Sequence, residues 1–432
     1  MPSRQLFLAL ALGLLPAAAL SQPTYTREIS RILQNKCTQC HRAGDIAPFA
    51  LDSYEAAADF REDITRVIVD RIMPPWKPVP GHGDFRGSFA LSDDERAQIV
   101  QWVEAGVPYG DEADLPEPAT PRGDWVLGQP DLELQMPEAY EPPRGRDMYR
   151  CFVLPTDSPE TRFVSAIDVL PGDRRYVHHV ILYLDTTGEA EQLDENDPGP
   201  GYTCFGGPGT SVTTGAGAVT ALLTNGISLG GWAPGTRPAH LPDGIGMQLP
   251  PHARVVMQIH YYPRGATAPD QTRIGLYFSK TPVERRLLFI PVLPINARGR
   301  IDMTIPAGAA DHEIRAEFPV PPLLDAHVVN IFPHMHLLGR QIKADIVSPR
   351  GDDTPLVYID NWDFNWQGPY TYTESVPLPA FSRIRLSCRY DNTAENPRNP
   401  NNPIKTVTWG EGTEDEMCLV FLGLTFDRER LQ

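Results

Sequence analysis

The most informative part of this sequence is a hydrophobic run that ends in a pair of histidines, Val328-Val329-Asn330-Ile331-Phe332-Pro333-His334-Met335-His336. The run predicts a β-strand, on which every second side chain points to the same face. His334 and His336 therefore face the same way and can bind one metal ion. A His-x-His pair is a weak signal by itself, so the prediction of a metal site depends on partners elsewhere in the chain.

Composition and charge narrow the possible classes of protein. A chain of 432 residues is too long for one hydrophobic core, so two or three domains are expected. Its 45 prolines and 35 glycines favour many short strands and turns over long helices. The net charge of -17 argues against a nucleic-acid-binding protein, and we expect a solvated acidic surface.

The first 21 residues have the pattern of a cleaved secretory signal peptide. A short basic start precedes a hydrophobic run over residues 6–20, which is too short to cross a bilayer comfortably. Ala19 and Ser21 are small, as the positions that a signal peptidase recognises require. We therefore expect a mature chain that starts near Gln22, export to the periplasm or beyond, and no membrane-spanning segment. Disulfides persist in such a compartment.

A possible haem attachment site follows, with the C-x-x-C-H spacing of Cys37-Thr38-Gln39-Cys40-His41. On a helix, residues three and four apart share a face, so both thiols can bond haem c while His41 binds the iron. The alternative is a zinc or redox cysteine pair with an incidental histidine. We expect Met73 to be the sixth iron ligand, because the two following prolines would stiffen its loop, and His82 is the alternative.

The segments around this motif resemble a small cytochrome c domain over about residues 22–112. Residues 25–35 predict an amphipathic helix. Ser92 and Glu95 predict a capping box that begins another helix, and Gly106 ends it. A proline-rich, acidic stretch comes next, so we interpret residues 113–145 as a semi-rigid linker.

Beyond the linker, short strand-like segments bounded by proline and glycine turns indicate an all-β sandwich. The predicted strands include residues 149–154, 163–170, 177–184, 254–261 and 274–278.

Two of these strands contain further candidate metal ligands. His178 and His179 precede a hydrophobic run, and His260 lies near the end of another strand. Adjacent strand residues point to opposite faces, so His178 and His179 can bind one ion only with a local twist or through different ring nitrogens. Each of the three could equally be an ordinary packed or surface histidine. A third region begins near Lys280 and contains Met417, which could also be a core methionine.

These residues, in this order, resemble the copper type II, ascorbate-dependent monooxygenases over about residues 125–430. The segments 231–235 and 241–246 look like family sequence between the two histidine strands. The resemblance implies two copper ions. By resemblance, the ligands of an electron-storing copper are His178, His179 and His260, and the catalytic ligands of the copper at which oxygen reacts are His334, His336 and Met417.

The resemblance also implies a disulfide framework and an architecture. Four cysteines permit three pairings, and by resemblance the pairs are Cys151–Cys204 and Cys388–Cys418, the second clamping the segment of Met417. The two copper sites are expected to face each other across a solvent-filled cleft. The predicted fold class is thus a small all-α cytochrome c domain followed by two jelly-roll-like all-β sandwich copper domains, over residues 146–280 and 281–432.

Three positions depart from the peptide-amidating branch of the family. That branch has an arginine two residues before the His-x-His pair, and an asparagine and a tyrosine two and four residues after the methionine. Here these positions are Phe332, Leu419 and Phe421, which cannot pair with a carboxylate. We therefore predict that the protein is not a peptide amidase and that its substrate has an apolar or aromatic portion.

The predicted function is an exported copper-dependent monooxygenase that hydroxylates a C–H bond of a small organic substrate with O2. Ascorbate or a redox protein would donate electrons, and haem c is hypothesised to feed them to the copper held by His178, His179 and His260. One alternative is a copper-binding electron-transfer or copper-handling protein without oxygenase activity. Another is a cytochrome fused to a β-sandwich binding module whose histidines are structural.

Overall fold

The computed structural model describes residues 22–42, 47–117, 125–145, 147–210, 228–262, 268–322 and 325–431. The predicted signal peptide, residues 1–21, lies outside these ranges, as does part of the predicted linker. The chain forms two compact units. The first contains Met1–Pro74 and Phe89–Ala119, and the second contains Pro75–Ser88 and Thr120–Gln432. The predicted domain boundaries at residues 112, 145 and 280 stay predictions.

The first unit contains short helices around a small hydrophobic core that includes Leu33 and Trp102. A π-helical turn, Tyr25–Ile29, leads directly into the first α-helix, so the helix predicted over residues 25–35 is confirmed. The capping box is confirmed as well, because Ser92 N donates to Glu95 Oε2 (2.8 Å) and Glu95 N donates to Ser92 Oγ (3.1 Å). The helices are α1 Ser30–Lys36, α2 Tyr54–Asp59, α3 Arg61–Val69 and α4 Asp93–Glu104, followed by a 3-10 turn Glu112–Asp114.

The second unit consists mainly of β-strands, with one helix, α5 Glu189–Asn196, among its described residues. The strands are β1 Leu132–Gln135, β2 Met148–Pro155, β3 Arg162–Leu170, β4 Val177–Asp185, β5 Tyr202–Thr203, β6 Ser228–Trp232, β7 Ile245–Leu249, β8 Arg254–Tyr261, β9 Arg273–Phe278, β10 Arg285–Arg286, β11 Leu288–Val292, β12 Thr304–Ile305, β13 His312–Pro319, β14 Ala326–His334, β15 Gly339–Val347, β16 Asp353–Ile359, β17 Tyr370–Leu378, β18 Arg383–Tyr390, β19 Val407–Thr408 and β20 Leu419–Phe426. The five predicted strands correspond to β2, β3, β4, β8 and β9 and are confirmed.

These strands form four large sheets and one two-stranded ribbon, β12-β19, within the described residues. The sheets β1-β9-β3-β7-β10 and β5-β2-β8-β4-β6 contribute to one hydrophobic core, which includes Leu182, Val255 and Leu276. The sheets β11-β20-β14-β17 and β13-β18-β15-β16 contribute to a second core, which includes Ile342 and Leu422. Alternate residues of β18 are buried, the period expected when one face of a strand packs on a core.

Both predicted disulfides are confirmed. Cys151 on β2 is bonded to Cys204, the residue that follows β5. Cys388 on β18 is bonded to Cys418, immediately before β20. The second bond therefore connects two sheets at the residue next to Met417.

The predicted fold class is wrong. The chain is mostly β, with 35% strand and 13% helix, and no all-α cytochrome c domain is evident in the described residues. A physical reason lies in Pro75–Ser88, which falls within the predicted helical domain but belongs to the β unit. Arg86 N donates to Thr371 O (2.8 Å) and Thr373 N donates to Asp84 O (2.9 Å), so this segment pairs with β17.

Side chains of Pro75–Ser88 also pack on other parts of the second unit. The rings of Trp76 and Phe85 lie 5.3 and 5.2 Å from that of Tyr370, between centroids. Lys77 Nζ lies 3.7 Å from Asp363 Oδ2. The apolar surface buried by these rings favours an extended segment on the sheet over a loop among helices.

Candidate metal centre

His178, His179 and His260 meet where β4 begins and the antiparallel β8 ends. The pairing of these strands is irregular between Val177 and His179, which provides the local twist that adjacent histidines need in order to face the same place. One ring nitrogen from each histidine lies within 4.8 Å of those of the other two. The three side chains can therefore converge on one ion.

The state of these rings suits metal binding. His178 Nε2 and both ring nitrogens of His260 are buried and have no hydrogen-bond partner among the described residues. Burial lowers the pKa of all three histidines, and neighbouring histidines lower that of His178 and His179 further, so the rings are neutral. A buried nitrogen without a partner costs about 1–3 kcal/mol, which a bound ion would offset. Three neutral imidazoles form a donor set that fits copper.

His334 and His336 form the second group of histidines, 5.1 Å apart between ring centroids. His334 is the last residue of β14, and its Nδ1 lies 2.6 Å from Gln367 Oε1. His336 Nδ1 lies 3.1 Å from Asp415 O. Because a carbonyl oxygen accepts, each Nδ1 carries the proton and each Nε2 is left with the lone pair that a metal needs. Burial lowers the pKa of His334 to about 4.

Met417 is buried, and the carboxylate of the preceding residue, Glu416, links the backbone of Met417 to that of His336. The carboxylate of Glu416 accepts hydrogen bonds from His336 N (2.9 Å), Leu338 N (2.6 Å) and Met417 N (3.1 Å). Burial raises the pKa of Glu416 to about 8, although the N–H donors act in the opposite direction. The Cys418 disulfide fixes the next residue. A thioether is a soft donor that favours Cu(I), so the donor set fits copper here too.

The two histidine groups lie side by side. The ring centroids of His179 and His334 are 6.2 Å apart. Phe364 stacks on His178 at 4.3 Å and lies 5.8 Å from His336, so one aromatic ring contacts both groups. The expected solvent-filled cleft between the two sites is therefore wrong for this structure, in which the groups adjoin.

An apolar surface continues from His334 along the sheet. Leu419 pairs with His334 and Phe421 pairs with Phe332 across β14 and β20, which places all four side chains on one face. The rings of Phe332 and Phe421 are 6.3 Å apart and both are half-buried. No described group on this strip offers a cation to a carboxylate.

Sequence reasoning missed Gln367, Glu416 and Phe364. Glu416 directly precedes Met417, and a single acidic residue beside a methionine gives no specific signal. Gln367 and Phe364 lie in the connection between β16 and β17 and contact histidines far away in the sequence. Only the fold brings them to the site.

The C-x-x-C-H motif lies in the first unit, after α1. Cys40 N and His41 N donate to Cys37 O (3.1 and 3.0 Å), which makes one tight turn of the motif. Neither cysteine forms a disulfide. His41 Nδ1 lies 3.1 Å from Phe49 O, which leaves Nε2 for an iron, so these residues fit a haem. Burial raises the pKa of the Cys37 thiol to about 12.

The two candidates for the sixth iron ligand belong to different units, Met73 to the first and His82 to the second. The choice between them stays a prediction. Two of the other histidines form ordinary side-chain hydrogen bonds, in agreement with the structural role expected of them. His240 Nδ1 lies 3.0 Å from Ser165 Oγ, and His327 Nδ1 lies 2.8 Å from Asp427 Oδ1.

Comparison with known proteins supports the family resemblance. Residues 309–426 match the family model "Copper type II ascorbate-dependent monooxygenase, C-terminal domain". The chain is 26% identical over 270 residues to DBH-like monooxygenase protein 1 of Homo sapiens, covering 58% of this chain and 39% of the relative. The Mus musculus protein of the same name is 25% identical over 285 residues, covering 63% and 43%. The chain thus matches less than half the length of these relatives.

Solved structures add no fold assignment. The structure of PNGF-II in the P21 space group covers 69% of this chain and 66% of its own, with 9% identity and a TM-score of 0.29, too low to indicate a shared fold. The family model and the two relatives are thus all named as monooxygenases, and the similarity to the family model is confined to residues 309–426.

Two further observations bear on the compartment. None of the helices in the described ranges has the length and hydrophobicity to span a bilayer. The two disulfides are typical of proteins that mature in an oxidising compartment.

Proposed function

We propose that this protein is a copper-dependent monooxygenase that hydroxylates a C–H bond of a small organic substrate with O2. The observation that supports it best is the meeting of two metal-binding groups in one place, with the rings of His179 and His334 6.2 Å apart. Each group offers neutral nitrogen ligands, and the hydroxylation requires two electrons that two one-electron centres can supply together.

The proposed ligands of the two coppers are His178, His179 and His260 for the first, and His334, His336 and Met417 for the second. Copper bound there would store electrons and activate O2. The chain's own residues orient the ligands: Gln367 and Asp415 O hold the Nδ1 protons of His334 and His336, which directs each Nε2 to the metal. Phe364 places an apolar ring against both groups, stacked on His178 and beside His336.

The proposed substrate has an apolar or aromatic portion that lies on Phe332 and Phe421, next to His334. Burial of one aromatic ring on this strip contributes about 1.5–3 kcal/mol to binding before entropic costs. A peptide carboxylate would lose its water there without gaining a cation. Phe332→Arg should therefore weaken binding of a phenylalkyl ligand and strengthen binding of a C-terminal glycine peptide, both measured by calorimetry. Efficient hydroxylation of a glycine-extended peptide by the wild type would contradict this part of the proposal.

A haem c held by Cys37, Cys40 and His41, with Met73 as sixth ligand and His82 as the alternative, is a further proposal supported by the motif spacing and the free Nε2 of His41. Such a haem would pass electrons to the first copper, in addition to ascorbate or a redox protein. An absorption spectrum of protein made with haem c maturation factors tests attachment. If the reduced haem does not oxidise when the copper-loaded protein is mixed with oxygen and substrate, the electron-transfer role fails. Export to the periplasm is also proposed, and sequencing the mature N-terminus near Gln22 tests it.

The deciding experiment is copper analysis followed by oxygen uptake against a panel of small amines, phenols and amides. We expect two coppers per chain and substrate-dependent oxygen uptake that His336→Ala abolishes. Two coppers without substrate-dependent uptake would instead identify an electron-transfer or copper-handling protein. Fewer than two coppers in well-loaded protein would favour structural histidines.

A further inference from the structure

Asp147, just before β2, lies between His260 and the chain that precedes Met417. Its Oδ2 lies 3.6 Å from His260 Nε2. The same oxygen accepts hydrogen bonds from Thr413 N (3.2 Å) and from Thr413 Oγ1. Thr413 lies four residues before Met417, so one carboxylate oxygen is shared between the first metal-binding group and the chain that leads to the second.

Tyr149 makes a parallel connection from the same strand. Its ring stacks on His260 with centroids 4.3 Å apart and an interplanar angle of 4°. Its hydroxyl donates to Glu411 O (2.9 Å). Asp147 and Tyr149, two residues apart in the sequence, both lie beside the ring of His260. Tyr149 therefore stacks on the His260 ring and Asp147 lies beside its Nε2, while both residues bond to the chain at residues 411–413.

The chain from residue 411 to residue 417 is short and internally bonded. Asp415 N donates to Gly412 O (2.9 Å), which closes a four-residue turn, named here the linking turn, with Thr413 at its second position. At its end, Asp415 O faces His336 Nδ1, and Glu416 bonds to His336 N and Met417 N. A shift of Thr413 therefore moves an atom that orients His336.

We propose that Asp147 is a positioning residue that joins the two metal-binding groups, holding the ring of His260 on one side and, through Thr413, the linking turn on the other. The inference rests on the proposed function insofar as both groups bind copper. Networks of hydrogen bonds around metal ligands set their orientation and affinity. Because Asp147 is shared, a change at either end reaches the ligands at the other, and the coupling is reciprocal.

The sharpest test uses Thr413, whose described side-chain hydrogen bond goes to Asp147 and not to a histidine of the first group. In a His336→Ala background the first group is the copper site that remains. Thr413→Val removes the hydroxyl that donates a hydrogen bond to Asp147 and keeps the side-chain shape, whereas Thr413→Ser keeps the hydroxyl. We measure the copper dissociation constant by chelator competition and the Cu(II) electron paramagnetic resonance spectrum of the full chain.

We expect Thr413→Val to raise the copper dissociation constant of the first group about tenfold or more and to change its spectrum. Thr413→Ser should keep both close to those of the parent. Thr354→Val, at an exposed position of β16, is the matched control and should change neither. Tyr149→Phe provides a second variant, because it keeps the ring on His260 and removes the bond to Glu411 O. Melting temperatures of the metal-free proteins identify any variant that fails to fold.

The outcomes separate this inference from the proposed function. Unchanged affinity and spectrum in both Thr413→Val and Tyr149→Phe would overturn the positioning role of Asp147 while the copper assignment stands. Equal effects of Thr413→Val and Thr413→Ser would also overturn it, since the hydroxyl would then be irrelevant. Lack of copper binding by the wild-type chain would overturn the proposed function, and the inference would fall with it.

Discussion

Replacing Gln367 by leucine tests whether a single buried amide sets the metal-binding nitrogen of His334. Gln367 is 5% exposed, with Oε1 2.6 Å from His334 Nδ1 and Nε2 donating to Phe364 O (2.8 Å). The second bond orients the amide so that its oxygen faces the imidazole. Leucine has a similar volume but removes both bonds. Without that acceptor, the Nδ1–H tautomer of His334 is no longer favoured, and a proton on Nε2 would compete with copper.

The expected magnitude follows from the two groups left without this partner. A buried donor or acceptor that loses its hydrogen bond costs about 1–3 kcal/mol, so the metal-free protein should lose about 2–6 kcal/mol of unfolding free energy. Loss of an outer partner of a ligating histidine weakens metal binding about 10- to 100-fold. The second copper should therefore be released at correspondingly lower chelator concentration, while the first is retained.

Urea unfolding of the metal-free protein and chelator competition of the loaded protein measure these two effects. Gln192→Leu, at an exposed position of α5, is the control for the change of side chain and should leave both quantities unchanged. The reasoning is refuted if Gln367→Leu unfolds within about 0.5 kcal/mol of the wild type, the scatter of surface substitutions, and binds both coppers with native affinity.

Three other changes give independent tests. Burial raises the pKa of Glu411 from 4.5 to about 7, so the folded chain binds more protons than the unfolded chain and its stability falls as the pH rises through that interval. Glu411→Gln should reduce this fall by about 2 kcal/mol, after allowance for solvent screening, in urea unfolding from pH 4.5 to 7.5. Glu416→Gln places an NH2 group against backbone donors and should lower the unfolding free energy by about 2–4 kcal/mol and weaken copper binding at Met417; native copper stoichiometry and melting temperature would contradict this. Replacing Cys388 and Cys418 by serine opens a loop of sequence separation 30 and should cost about 3–4 kcal/mol in denaturant unfolding, and an unchanged midpoint would argue against the clamp.

The local pattern of the sequence was sufficient to predict the strands that carry the first histidine group. Burial alternates along much of β4, whereas β8 is buried along nearly its whole length, and both patterns are typical of hydrophobic runs in a sheet. His260 lies near the end of β8, as predicted. The disulfides followed from family resemblance, because spacing alone left three pairings open. The hydrophobic run before His334 forms β14, and His334 is the last residue of that strand, as the run predicts.

The failures come from contacts between residues distant in the sequence. Residues 75–88 contain prolines and few alternating positions, so nothing local indicated that Arg86 and Asp84 pair with β17. That pairing is one reason why the expected helical domain is not found. The packing of the sheets also determines that His179 lies next to His334 and that Gln367 bonds to His334. Periodicity within a single strand does not predict such packing.

The position of β20 has a consequence for biosynthesis. β20 lies between β11 and β14 in its sheet, although it follows every other described strand along the chain. Until β20 pairs with them, β11 and β14 have unpaired neighbouring edges, which are prone to aggregation. Met417 and Cys418 immediately precede this strand, so the disulfide to Cys388 and the completion of the copper ligands come at the same late step. Copper loading is therefore expected to follow the pairing of β20. Before that step, the unpaired edges of β11 and β14 would most need protection by chaperones.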